Sequence, residues 1–295
     1  MKEDAVAPVI AAMLVLAVIV TFFSAWNAVI LPSMKEQAEV THLHEVEESF
    51  ARFSSDIDTA SSLNTDMTLS EHLPLGGGDV AFNSLKSGGT LKARTEPSQY
   101  MSLAIGLVDP PSSFWYANYS YQPVGNFWMD QGYDWSYGYI NVTKGNLATP
   151  LEATNMTTIS FNSANSLLRF EPIQSNTDPR NCSGIIVNTV NITADPDHMS
   201  TSGNGIGTLV LTSSQRPGKN YVKPADIRIF IAGDMTSHGF PSAFKDYVTT
   251  KSEDLGIQCL NIHPVKTDDG VDLQIDDLQD VTVIRKITEI RIGTV

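Results

Sequence analysis

Two cysteines, six histidines and 19 basic residues are all that this 295-residue chain has of those types, and between Ala5 and Met34 it carries no charge. Each shortage closes off a class of function. Against 33 acids the basic residues leave a formal net charge of −14, which excludes a partner such as nucleic acid, whose phosphates call for a basic face. The histidines are scattered, with no pair at metal-ligand spacing. Neither a Gly-x-Ser-x-Gly elbow nor a His-Glu-x-x-His helix occurs, so the sequence offers no nucleophile or zinc constellation. Gly76, Gly77 and Gly78 are followed by Asp79 and not by Lys-Ser/Thr, so they mark a turn and not a phosphate loop. Asp268, Asp269, Asp272, Asp276 and Asp277 are hard oxygen ligands but miss the EF-hand spacing; the plainer reading is a solvated acidic turn. No catalytic residue, metal or cofactor is expected, and the chain does not read as an enzyme. Cys182 and Cys259 suit a single disulfide in an oxidising compartment or, equally, two buried thiols. A bridge between them would close a long loop and contribute roughly 4 kcal/mol.

What the chain has in quantity is apolar surface at its start. Residues 5–34 would reach roughly 45 Å as a helix, more than the ~30 Å hydrocarbon core of a bilayer. A cleaved secretory signal is shorter and ends on small residues. Here cuts after Ala25 or Ala28 would leave Phe23 or Trp26 two residues upstream. A membrane anchor and the dry core of an assembly both remain open. Lys2 stands beside Glu3 and Asp4, so the basic-residue rule gives no orientation. Orientation comes from five Asn-x-Ser/Thr triplets, at Asn118, Asn141, Asn155, Asn181 and Asn191, all on the C-terminal side of the span. Together they indicate an exported, glycosylated domain.

Beyond Pro32 the hydropathy becomes one-sided. Leu43, Val46, Phe50, Phe53, Ile57 and Ala60 recur at alternating spacings of three and four, which predicts an amphipathic helix with an apolar stripe. The stripe is too short for a firm coiled-coil assignment; it packs either on the chain's own β domain or on further copies. His42 and His44, two apart, cannot share a helical face and read as surface or interface residues. Pro32 either kinks the rod or starts its second helix.

From Tyr100 onward Val, Ile, Thr and aromatic runs alternate with turn residues: 101–108, 113–124, 137–142, 157–170, 184–192, 207–212, 227–232, 258–265 and 281–292. This predicts a mainly antiparallel β-sandwich or jelly-roll-like domain, with a single helix near 241–254. The aromatic-rich stretch from Phe114 to Tyr139 reads as core or assembly contact before it reads as a sugar-binding face. The fold class is therefore α+β, a long hydrophobic then amphipathic N-terminal helix followed by β structure.

The start, Lys2-Glu3-Asp4-Ala5-Val6-Ala7-Pro8-Val9-Ile10 before a hydrophobic helix, resembles that of archaeal type IV pilin-like surface proteins, in which a charged leader precedes Ala or Gly and then Val-Ser-Pro-Val-Ile. The stretch from Pro32 through His42 to Phe50 looks like the post-membrane helix of the same class. The resemblance implies a leader removed by a prepilin-type peptidase near Asp4, Ala5 or Val6. It further implies an assembly helix carrying Pro8, Ile10, Leu14, Ile19, Phe22, Phe23, Trp26 and Ile30, and partners that are the chain itself as a homopolymer, the membrane during biogenesis and the pilus assembly machinery. The implied organisation is a leader over 1–5, a transmembrane or filament-core helix over 5–34, an amphipathic helix over 35–60, a linker with short strands over 61–99 and an extracellular β-rich domain over 100–295. The expected function is a structural subunit of a cell-surface filament used in adhesion or surface contact. The alternative is a membrane-anchored monomer whose β domain binds a ligand or carbohydrate.

Overall fold

The computed structural model describes residues 6–63, 65–77, 87–106, 110–126, 129–136, 138–151, 166–177, 182–224, 226–232, 261–267, 270–276 and 281–295. The α+β architecture stands: one long N-terminal helical rod leads into a strand-rich head. The rod is α1 (Val6–Ala25), a π-helical turn (Trp26–Ile30) and α2 (Leu31–Leu63). Pro32 explains the turn. It has no N–H and its ring crowds the carbonyl four residues back, and the backbone widens just before it, with the Leu31 N–H bonding to Trp26 O. Pro32 thus sits in the first turn of α2, directly after the widened turn.

The strands form three sheets. The first runs β1 (Met67–Pro74), β12 (Ile206–Val222), β16 (Thr282–Thr294), β10 (Cys182–Ala194), β9 (Leu168–Gln174). The second runs β11 (Ser200–Gly203), β2 (Gly88–Thr95), β5 (Ala117–Val124), β6 (Gly132–Ser136), β7 (Tyr139–Lys144), β8 (Leu147–Pro150). The third runs β14 (Asn261–Thr267), β15 (Gly270–Asp276), β13 (Ile227–Ala232), β3 (Met101–Ile105), β4 (Ser112–Phe114). Pairing is antiparallel except between β10 and β16. Gly270–Asp276 is a strand paired with β14, so that part of the expected acidic turn is corrected; its Val-Asp-Leu-Gln-Ile alternation is the period of a strand. Asp268, Asp269 and Asp277 and the expected helix near 241–254 lie outside the described residues.

Proline placement follows from its missing donor. Pro74, Pro150, Pro172 and Pro264 lie in β1, β8, β9 and β14, all terminal strands of their sheets. Pro217 lies in β12 at the register break between Arg216 and Lys219, past the end of its pairing with β1. A proline in a terminal strand interrupts the row of donors that another chain's strand would join.

The six stripe residues of α2 are all buried, and they pack on the chain's own head. Phe50 lies 4.9 Å from the Tyr119 ring and 5.9 Å from that of Tyr133, and Phe53 meets Tyr119 edge-on at 5.0 Å. Trp135 stacks on both Tyr116 and Tyr119. Tyr119, Tyr121, Tyr133 and Trp135 alternate with outward polar residues along β5 and β6, so most of the aromatic cluster is core. Trp115, in the same stretch, is exposed. Close approach also fixes two glycines. A Cβ on Gly77 would come within 2.5 Å of His42 Cβ, and one on Gly89 would collide with Leu75 O and the Tyr121 ring.

Candidate assembly rod and rod–head joint

Every described side chain of α1 from Pro8 to Ala25 is exposed. The apolar surface runs on from Ile10, Leu14 and Ile19 through Phe22 and Phe23 to Ile30; Trp26 is partly covered, its ring 6.2 Å from that of Phe22. One helix of the described residues, Pro8–Leu63, is long and apolar enough to cross a membrane. Nothing of the described head covers it, although large contiguous apolar surface is not left to water in a soluble monomer. Among its polar residues, Thr21 Oγ1 donates to Ala17 O and Val18 O, and Asn27 Nδ2 to Phe23 O. Val6 is helical, while Asp4 and Ala5 lie outside the described residues.

Where the rod enters the head, α2 is fastened turn by turn. Glu39, buried, accepts the Met129 N–H at Oε2 (3.1 Å). His42 bonds Pro74 O through Nε2 (2.9 Å) and meets Tyr121 edge-on. Glu47 accepts the Tyr133 hydroxyl (3.1 Å), the Tyr119 hydroxyl donates to Phe50 O (3.2 Å), and Trp135 Nε1 donates to Ser54 Oγ (2.9 Å). Arg52 pairs with Glu71, Asp58 accepts from Ser166, and Arg169 reaches Ser62 O. Backbone carbonyls and tyrosine hydroxyls buried together in this way satisfy one another, so the aromatic core carries no unpaired hydroxyl at these positions. Burial raises the Tyr119 and Tyr121 phenols well above their ordinary range and pushes Tyr133 up to about 12.

Of the two histidines expected at a surface or an interface, His42 is 4 % exposed and lies between α2 and the head, whereas His44 faces solvent beside Glu48. Glu39 and His42 stand four residues before Leu43 and Val46, on the same helical face. Their burial was therefore signalled by extending the apolar stripe backward onto polar residues that find partners.

Three sequons are described, and all are half-buried. Asn118 Nδ2 donates to Glu96 Oε1 (2.8 Å), and Asn191 Oδ1 accepts the Trp115 N–H (2.8 Å). Asn141 pairs across strands with Asp134 on the outward face of β6 and β7. Asn155 and Asn181 lie outside the described residues. Cys182 opens β10 and is disulfide-bonded; Cys259 also lies outside the described residues.

Asp134 holds the most displaced carboxyl of this face. Burial first, and repulsion from Glu96 second, raise it from 3.8 to about 6, against the opposing pull of Arg94. A carboxyl raised in the folded state favours folding below its unfolded value near 4 and loses that advantage as the pH climbs through 6. Asp134→Asn is therefore expected to stabilise the head at pH 7.5 by about 1–2 kcal/mol, after allowance for partial exposure. It should leave stability unchanged near pH 3.5. Thermal melts of both proteins across that range read the difference directly, and equal melting shifts at both ends would contradict the assignment.

Among the described residues no group of three His, Cys, Asp or Glu side chains gathers as a metal site. Compared with known proteins, the chain matches no family model, no curated protein and no solved structure.

Proposed function

We propose that this chain is the structural subunit of an extracellular, archaeal pilus-like filament, in which the rods pack together as the core and the heads form the sheath. The observation that carries the reading is the continuity of the rod. Apolar surface exposed from Pro8 to Ile30 passes without interruption into a helix pinned to the head from Glu39 to Ser62. Such a rod requires dryness, which lipid supplies to most of its apolar length before assembly and sister rods supply to all of it afterward. A head fastened at every turn transmits load into the core instead of swinging on a linker. The resemblance of residues 2–10 to pilin-like starts adds the expected processing near Asp4, Ala5 or Val6. Surface contact or adhesion is then the task of the heads. The role is structural and not catalytic.

Two measurements decide between this and a membrane-tethered monomer. Electron microscopy of material sheared from cells should show filaments containing this polypeptide, and mass spectrometry of the mature chain should show a new N-terminus among residues 4–7. A retained Met1 together with a chain found only in membranes would establish the tether.

A further inference from the structure

The π-helical turn at Trp26–Ile30 divides the uncharged segment in two. In an α-helix the Leu31 N–H would bond to Asn27 O; here it is turned to Trp26 O. Pro32, which has no N–H, gives nothing to Ala28 O. The Asn27 carbonyl thereby loses its usual α-helical donor. In hydrocarbon such a group would cost several kcal/mol, because nothing there can replace the bond. Asn27 adds a polar side chain at the same level, its amide already used on Phe23 O and its carbonyl group left to the surroundings. N-terminal to this point Thr21 is bonded by the helix itself.

Length agrees with chemistry. Pro8–Trp26 spans about 28 Å at ~1.5 Å per residue, close to the ~30 Å hydrocarbon core, whereas residues 5–34 would overshoot it. Trp26 ends this stretch, and tryptophan is the residue favoured where hydrocarbon meets headgroups. Its ring packs toward Phe22 while part of it remains open to the surroundings. Lys35, the first charge beyond, follows within about two and a half turns.

We infer that the lipid surface ends at the π-turn: the membrane-inserted chain buries Pro8–Trp26 in hydrocarbon and holds Asn27–Ala38 as a hydrated neck of about 18 Å. The partner is thus the headgroup layer of a bilayer, met by Trp26, by the Asn27 side chain and by the Asn27 carbonyl. The neck keeps the head, which first grips the rod at Glu39, clear of the lipid. This deepens the membrane-inserted stage of the proposed function and rests on it.

The test uses the full chain in phosphatidylcholine vesicles carrying bromine at defined acyl positions. Flotation first reports whether the chain enters the bilayer. Fluorescence quenching then reports depth, with Trp26→Phe identifying the contribution of Trp26 among the four tryptophans. Quenching of the Trp26 component strongest with bromine nearest the headgroups, and at least twofold weaker with bromine near the bilayer centre, is the expected result. In the Trp26→Phe background, Phe22→Trp should report a position about 6 Å deeper. Deep quenching of Trp26, or none in a chain that floats with the vesicles, overturns the boundary while leaving membrane insertion intact. A chain that does not float overturns both.

Discussion

Phe50→Ala is expected to lower the stability of the head by about 3–5 kcal/mol, the range for removing a large aromatic side chain from a sealed core. Phe50 has no exposed surface, lies against both Tyr119 and Tyr133, and its carbonyl takes the Tyr119 hydroxyl. The loss is not confined to one contact. Tyr119 also stacks on Trp135, so a cavity at position 50 loosens the ring layer between α2 and the second sheet. Backbone relaxation cannot readily fill the space, because the same turn is held at Ser49, Arg52 and Ser54. Urea unfolding of the detergent-solubilised chain, followed by near-ultraviolet circular dichroism and tryptophan emission, measures the change. Phe50→Leu should recover roughly half of the lost stability, and Glu45→Ala on the solvent face should shift it by less than about 0.5 kcal/mol. Equal midpoints for Phe50→Ala and the native chain would show that the rod is held by something other than this face.

This joint also shows how far the sequence spoke for the structure. The three-and-four spacing of Leu43 through Ala60 is a local signal, set by the helix period, and every one of those residues is buried. The same is true of Ile227–Ala232, whose alternation places Ile227, Ile229 and Ile231 inside. Other features depend on partners distant in the chain. The parallel pairing of β10 with β16 joins Gly184 to Thr282, and no local pattern announces parallel neighbours. The extension of β12 to Val222 runs through Pro217 and Gly218, residues that ordinarily end a strand; a register break at an open edge accommodates them. His42 and Glu39 were hidden for a different reason. Polar residues are assigned to the surface by default, and the tertiary partners Pro74 O and the Met129 N–H are what the local pattern does not announce, while His42 Nδ1 is buried without a hydrogen-bond partner. The apolar rod was legible throughout, since a span of apolar residues without charge needs no tertiary information to declare itself.

Leu16→Asp tests what surrounds that rod, and its expected effect is as large as that of Phe50→Ala but appears in a different observable. Leu16 lies near the middle of Pro8–Trp26 and is 61 % exposed in the isolated chain. If water were its working environment, an acid there would be harmless and would improve solubility. In hydrocarbon a central aspartate costs about 2.5–3.5 kcal/mol, and the lost leucine adds a few tenths, so the inserted fraction should fall by about a hundredfold or more. A filament core penalises the same carboxylate once per subunit, since no described basic residue lies between Val6 and Met34 to pair with it, and filaments should be absent. The head should keep the native near-ultraviolet spectrum and urea midpoint, because α1 makes no contribution to its core. Vesicle flotation, filament yield after shearing and head unfolding thus separate the two halves of the molecule. Undiminished flotation and filament yield for Leu16→Asp would mean that the rod is not buried in lipid or in its own copies, and the structural role proposed for this chain would fall.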